Sequence, residues 1–279
     1  MQSKIKPFKN LGLFFLLSIL SVLFIAPIII VLINSFKGQF YISDAPFSLP
    51  NALTFAGTEN YLNGIERTNF FTAFFYSLFI TVGSVLLLTL GASMTSWYLA
   101  RTKSRFSSFL YYLFVFSMIV PFQMVMFTMS KIANTLGLDN PVGIILIYLG
   151  FGAGLSIFIF SGFVKSIPRE IEEAAVVDGC NPITLFFSVI FPILRPTAIT
   201  VAILNTMWIW NDYLLPYLVI GNDYKTIPIA IQYLQGGYGA RDMGALMAML
   251  VLAIIPIIVF YLFCQKYIIK GVVAGAVKG

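Results

Sequence analysis

The sequence predicts an all-α membrane protein in which six transmembrane helices cross the bilayer and both termini lie in the cytoplasm. Three observations carry that prediction. Hydrophobic residues make up 59% and charged residues 10% of the 279 positions, and a soluble globule so composed has too little polar surface to cover its apolar atoms. Six stretches, residues 11–33, 74–100, 109–129, 143–164, 198–220 and 246–264, each offer the roughly 20 apolar positions that a helix needs to cross about 30 Å of hydrocarbon. With the N-terminus inside, twelve of the 17 lysines and arginines fall in inner segments and five in outer ones, the bias that sets orientation in the membrane.

Composition also removes function classes. Histidine is absent, which takes away the commonest metal ligand and general base. Cys180 and Cys264 lie in unrelated segments, so no disulfide framework is expected. No Gly-x4-Gly-Lys-Ser/Thr phosphate loop and no nucleophile–base pair occurs. An enzyme is therefore not expected, nor a metal, a cofactor or a nucleic-acid partner.

The first span follows a basic segment, residues 1–9. It is too long for the roughly 7 to 15 residue apolar core of a cleavable signal, so it reads as a retained helix. The outer connection, residues 34–72, mixes Pro46, Pro50, Gly57 and Gly64 with aromatic residues and reads as a packed external segment. It either supports an external partner or simply covers the bundle. The third span carries Pro121 near its middle, with Ser117 one turn earlier. Proline frees a backbone carbonyl that lipid will not satisfy. Either Phe122, Gln123 and Met124 line a wet pathway, or Ser117 repairs a structural kink. In the fourth span Gly150 and Gly154 stand in GxxxG spacing around Gly152, which favours close helix packing, within the chain or with a second subunit.

Residues 165–196 are a polar interruption that reads as two short helices outside the membrane. Pro168 suits a first turn, with Glu170, Glu172 and Glu173 at the positive end of the dipole. Gly179 suits the left-handed residue that ends a helix. Asn181 and Pro182 repeat the start signal, and Pro192 is expected to stop the second helix. On the first helix Ile171, Ala174, Ala175 and Asp178 share one face, where adjacent alanines let another surface come close.

The fifth span places Ala198, Val201, Asn205, Trp208 and Asp212 on one face, with Trp210, Asn211 and Tyr213 near its outer end. An amide and a carboxylate inside a membrane should face the bundle or a wet cavity. Aromatic rings beside a few polar groups suit a sugar, whose C–H faces stack while its hydroxyls hydrogen-bond. Alternatively the aromatics form an interface belt and Asn205 bonds a neighbouring helix. Residues 223–244 read as a polar outer connection, and the sixth span leads into the tail GVVAGAVKG.

Glu173-Ala174-Ala175, three residues, Gly179, and then Ile190 and Pro192 resemble the EAA loop of carbohydrate ABC importer permeases, most closely those of the maltose type. Val189 and Phe191 depart from the family's usual isoleucine and leucine. The segment WNDYLLPYLV and the tail are similar as well, so the resemblance covers residues 72–279. It implies the type 1 ABC importer permease fold, organised as a first helix and external loop (1–71), a transmembrane domain (72–267) containing the EAA coupling loop (165–196), and a cytoplasmic tail (268–279). It further implies a multi-pass protein of the cytoplasmic membrane that moves a di- or oligosaccharide. The implied partners are a second, homologous permease, a pair of ABC ATPases that use the ATP, an extracellular or periplasmic sugar-binding protein, and membrane lipid. Glu173, Ala174, Ala175, Asp178, Gly179 and Pro192 would then couple to the ATPase, and Gly275, Lys278 and Gly279 would reach its interface. Gln123, Asn205, Trp208, Asn211 and Asp212 would line the substrate pathway. The absence of lysine and arginine from the spans suits a neutral ligand. Two rival readings are an ion-coupled transporter using Asp212 as relay and a non-transporting scaffold.

Overall fold

A computed structural model describes residues 11–221, 223–235 and 242–276, with backbone alone beyond residue 267. Among the described residues the chain is helical throughout: α1 (Leu11–Asn34), α2 (Gln39–Asp44), α3 (Glu59–Thr68), α4 (Phe70–Arg101), α5 (Arg105–Ser117), α6 (Phe122–Thr135), α7 (Pro141–Val164), α8 (Arg169–Val177), α9 (Pro182–Leu185), α10 (Phe191–Asn211), α11 (Leu214–Ile220), α12 (Ile227–Tyr233) and α13 (Met243–Ala276). Five helices are long and apolar enough to cross a membrane, and α5 with α6 supplies a sixth span if that bent pair counts as one. Two compact units result, one of residues 1–70 and 231–256, the other of residues 71–230 and 257–279.

In the first unit α1 is apolar all round, and among its residues only Asn34 is buried. A helix of that kind has no stable surroundings in water and suits lipid. The connection that follows is packed. The Lys37 side chain is fully buried, donating to Ala45 O at 2.8 Å and Ser48 Oγ at 3.3 Å, and burial lowers its pKa from the ordinary lysine range. Asn60 Nδ2 donates to Ser35 O and Lys37 O, both at 2.8 Å. A Cβ on Gly64 would stand 2.7 Å from Met249 Cε, so glycine is what lets α3 approach the start of α13.

The second unit holds the remaining spans. The third differs from the expected kinked helix: α5 ends at Ser117, the chain turns, and α6 leaves at 104°. Pro121 precedes α6 in extended conformation (φ −62°, ψ 134°), and a proline also drives the residue before it out of the helical region. The break is therefore complete. Ser117 Oγ donates to Phe114 O at 2.6 Å within the last turn of α5.

Close packing in α7 does not follow the GxxxG register. A Cβ on Gly154 would stand 2.6 Å from Phe114 O of α5, and one on Gly152 would stand 2.6 Å from Leu88 Cδ1 of α4, whereas Gly150 has open space before it. The fifth span also departs from expectation at both ends. Pro192 does not stop a helix. From Pro182 to Asn211 the chain is continuous, passing through a π-turn at Phe186–Ile190, where Phe191 N donates to Phe186 O. The wider turn sets Pro192 in the opening turn of α10, where a missing N–H does least harm. At the other end α10 finishes at Asn211, and α11 is separate. Asp212 is extended (φ −73°, ψ 124°), and its Oδ1 accepts from Leu214 N at 3.1 Å, starting the new helix. Residues 223–235, expected as a polar connection, instead carry the buried apolar residues Ile227, Ile229 and Ala230. Ile227 N donates to Ser77 Oγ of α4 at 2.8 Å.

Candidate functional site

The polar interruption builds a knob on the end of α10. Helix α8 ends in a double hydrogen-bonded cap: Gly179 N donates to Val176 O and Cys180 N to Ala175 O, both at 3.0 Å, with Gly179 at φ +85°. That left-handed conformation is open to glycine at little cost. Asn181 Oδ1 then accepts from Thr184 N at 2.9 Å, and Pro182 opens α9. The expected cap residues therefore act as read from the chain.

The faces of the knob are unequal. Ala175 is buried with Ile167, Leu185, Phe186 and Ile190 in a core of the second unit. Ala174, Asp178 and Gly179 face outward with Glu173, and beside them Val177 is 86% and Ile183 70% exposed. The face expected to carry both alanines outward is thus split, because Ala175 packs the helix onto its own chain. Pro192 lies exposed at the start of α10. Gly275 falls in the last turn of α13, while Lys278 and Gly279 lie outside the described residues.

A clamp orients α8. Arg101, at the end of α4, donates from Nε to Glu172 Oε1 at 2.7 Å and from a terminal nitrogen to Ile167 O at 2.9 Å; that nitrogen is also 2.7 Å from Glu172 Oε1. Trp97 Nε1 donates to Glu172 Oε2 at 3.1 Å. The two charged side chains are 17% and 12% exposed, so water screens them little.

On α10 the polar residues divide. Asn205 is 3% exposed and donates from Nδ2 to Ser156 Oγ of α7 at 3.1 Å and to Val201 O at 2.9 Å. Asp212 Oδ2 accepts from the buried Tyr148 hydroxyl at 3.0 Å. Trp208 stacks edge-on against Tyr148 with centroids 5.5 Å apart and stays 41% exposed. Asn211 is exposed and bonded to Met207 O, and Gln123 is exposed on the first turn of α6. The structure thus brings Asn205, Trp208 and Asp212 together along the α7–α10 seam and leaves Asn211 and Gln123 on open surface.

A family model described as the binding-protein-dependent transport system inner membrane component matches residues 88–273. The chain belongs to this family. This permease is 39% identical to the probable starch degradation products transport system permease protein AmyC of Thermoanaerobacterium thermosulfurigenes, over 95% of each chain. To the multiple sugar-binding transport system permease protein MsmG of Streptococcus mutans it is 34% identical, over 94% of this chain and 95% of that one. A chain in the crystal structure of a bacterial ABC transporter involved in the import of the acidic polysaccharide alginate has the same fold, with a TM-score of 0.71 at 22% identity over 95% of this chain and 99% of that one. The resemblance read from the EAA-like loop holds at the level of family and fold, and the permease is a multi-pass protein of the cell membrane.

Reading by sequence missed the clamp. Glu172 was assigned only to the dipole of α8, and Arg101 only to the charge bias of an inner segment. Trp97 and Arg101 stand four residues apart at a span end, a pattern that puts two donors on one helix face, but their acceptor lies 71 residues from Arg101. Tyr148 and Ser156, which hold Asp212 and Asn205, gave no signal within their glycine-rich span.

Proposed function

We propose that this permease is one subunit of an ATP-driven importer that carries a di- or oligosaccharide across the cytoplasmic membrane, with both termini and the knob in the cytoplasm. The carrying observation is the knob itself: a short helix, clamped to α4 through Arg101 and Glu172, that presents Ala174, Val177, Asp178 and Gly179 outward at the head of a continuous span. Such a helix serves as a rigid lever. ATP-driven closure of a pair of partner ATPases would push on Glu173 to Gly179, and α10 would carry the displacement into the bundle as it rocks between inward-open and outward-open states. In this reading the motor and its ATP belong wholly to the partner subunits.

The sugar would pass between this subunit and a second, related permease, handed over by an external binding protein. Trp208, Asn211 and Gln123 would supply a ring face and amides to its hydroxyls, while Asn205 and Asp212 hold the seam that positions them. The substrate class is supported by relatives whose names speak of starch degradation products and multiple sugars. The domain division follows the same logic: residues 1–71 as first helix and external loop, 72–267 as the transporting domain with its coupling loop at 165–196, and 268–279 as a tail toward the ATPases. An ion-coupled relay would need Asp212 free to exchange protons, and both its oxygens are engaged by donors.

The test is Gly179→Leu in the complete transporter. Uptake of labelled maltodextrin should fall at least tenfold while the permease stays in the membrane and the ATPases still hydrolyse ATP. Normal uptake would refute the lever.

A further inference from the structure

At the ends of three spans a polar cavity of about 230 Å³ opens between α4, α5 and α7, several times the roughly 30 Å³ share of one water. Two lysines, Lys103 and Lys165, line it together with Ser107, Ser108, Ser161 and Tyr111, and no carboxylate does. Lys165 Nζ sits 5.1 Å from the centroid of the Tyr111 ring, which holds the ammonium at the cavity wall. Ser107 and Ser108 belong to the first turn of the 13-residue helix α5, whose dipole is positive at this end. Ser104 Oγ donates to Ser107 Oγ at 2.9 Å, so the Ser107 hydroxyl proton is left to donate elsewhere.

The decisive group is Ser161. Its side chain is 1% exposed, it lines this cavity, and its Oγ has no hydrogen-bond partner in the protein. A buried hydroxyl without a partner is uncommon in a native fold and calls for an acceptor from outside.

We propose that this cavity binds the phosphate of an anionic phospholipid headgroup. Two ammonium groups, serine hydroxyl donors and a helix N-terminus form a donor set complementary to a phosphodiester. The lipid is the source because the cavity lies at the ends of membrane helices, at headgroup depth, and because Tyr112 at its rim turns an exposed ring outward, as interfacial tyrosines do. The site belongs to the membrane-facing scaffold and stands whether or not the sugar assignment holds.

The experiment uses the full-length permease in nanodiscs of phosphatidylcholine with graded phosphatidylglycerol, read by native mass spectrometry of retained lipid and by thermal midpoint. The wild type should retain phosphatidylglycerol preferentially. In Lys103→Gln/Lys165→Gln that preference should drop about tenfold, the loss of one charge-assisted contact. Ser161→Ala separates ligand binding from a packing role. In pure phosphatidylcholine it should leave the midpoint unchanged or raised, because an orphan hydroxyl is gone, and it should lose the phosphatidylglycerol-dependent rise. Equal retention of both lipids by wild type and variants overturns the proposal. So does protection by inorganic phosphate in pure phosphatidylcholine with none from phosphatidylglycerol, which would assign the cavity to a soluble anion.

Discussion

Replacing Glu172 by glutamine keeps the outline of the side chain and removes its charge, so it isolates what the clamp contributes to the seating of α8. The carboxylate receives Arg101 Nε at 2.7 Å and Trp97 Nε1 at 3.1 Å, with a second guanidinium nitrogen at 2.7 Å. A hydrogen bond to a charged group contributes about 1.5 to 3 kcal/mol, and stripping one member from a buried ion pair costs about 3 to 5 kcal/mol. At 12% and 17% side-chain exposure the pair is just short of full burial. Glu172→Gln, which can still accept from Trp97, should cost about 2 kcal/mol, and Glu172→Ala about 3 kcal/mol. A change of about 2 kcal/mol multiplies the undocked population of α8 by roughly 30. The assay is hydrogen exchange on the full chain in nanodiscs, following the amides of residues 172–180, whose exchange should quicken by that factor while α7 is unchanged. A second arm closes the cycle with Arg101→Leu and the double variant Arg101→Leu/Glu172→Leu. If the pair acts as a unit, the double variant should recover about 1 to 3 kcal/mol relative to the summed single changes. Additivity within about 0.5 kcal/mol, or unaltered exchange in Glu172→Gln, would refute the clamp.

Gly179 sits at φ +85° with open space where a Cβ would go, so its substitutions report backbone strain and not collision. Gly179→Val should lower stability by about 1 to 3 kcal/mol and Gly179→Asn by distinctly less, measured by thermal unfolding in detergent. Asn181→Ala removes the cap on Thr184 N and should cost about 1 kcal/mol by the same measurement. In α7, Gly154→Ala should destabilise by roughly 1 to 3 kcal/mol because the new Cβ meets Phe114 O at 2.6 Å, whereas Gly150→Ala should stay within about 0.5 kcal/mol. Equal effects at the two glycines would contradict the packing described. Tyr148→Phe keeps the ring against Trp208 and deletes the donor to Asp212, so a loss of about 1 to 3 kcal/mol is expected.

Much of the knob was legible in the chain because its signals act within a few residues. The left-handed glycine at 179, the Asn181 cap and Pro182 at the start of α9 each depend on local dihedral preference and on backbone groups three or four positions away. The proline at 192 misled for the opposite reason. Its effect depends on the π-turn before it, and a π-turn forms where the helix is held by packing on both sides, here through Phe186 and Ile190 in the core. The same holds for Pro121. Its presence announced a disturbance, but a kink and a 104° break differ by whether anything bridges the turn. Asn205 was expected to be either pathway or interhelical glue, and its bond to Ser156 came into view only with α7 beside it.

By itself the sequence determined that this is a membrane protein of long apolar helices with a capped polar knob between two of them, because the energy of removing apolar side chains from water and the preferences of single residues are both written in short windows. Tertiary structure decided what each polar residue answers to. Arg101 meets Glu172, Tyr148 meets Asp212, and Ser161 faces a cavity with its hydroxyl unpaired, since a charge or hydroxyl has a definite role only once folding has brought, or failed to bring, a partner from a distant part of the chain within about 3 Å.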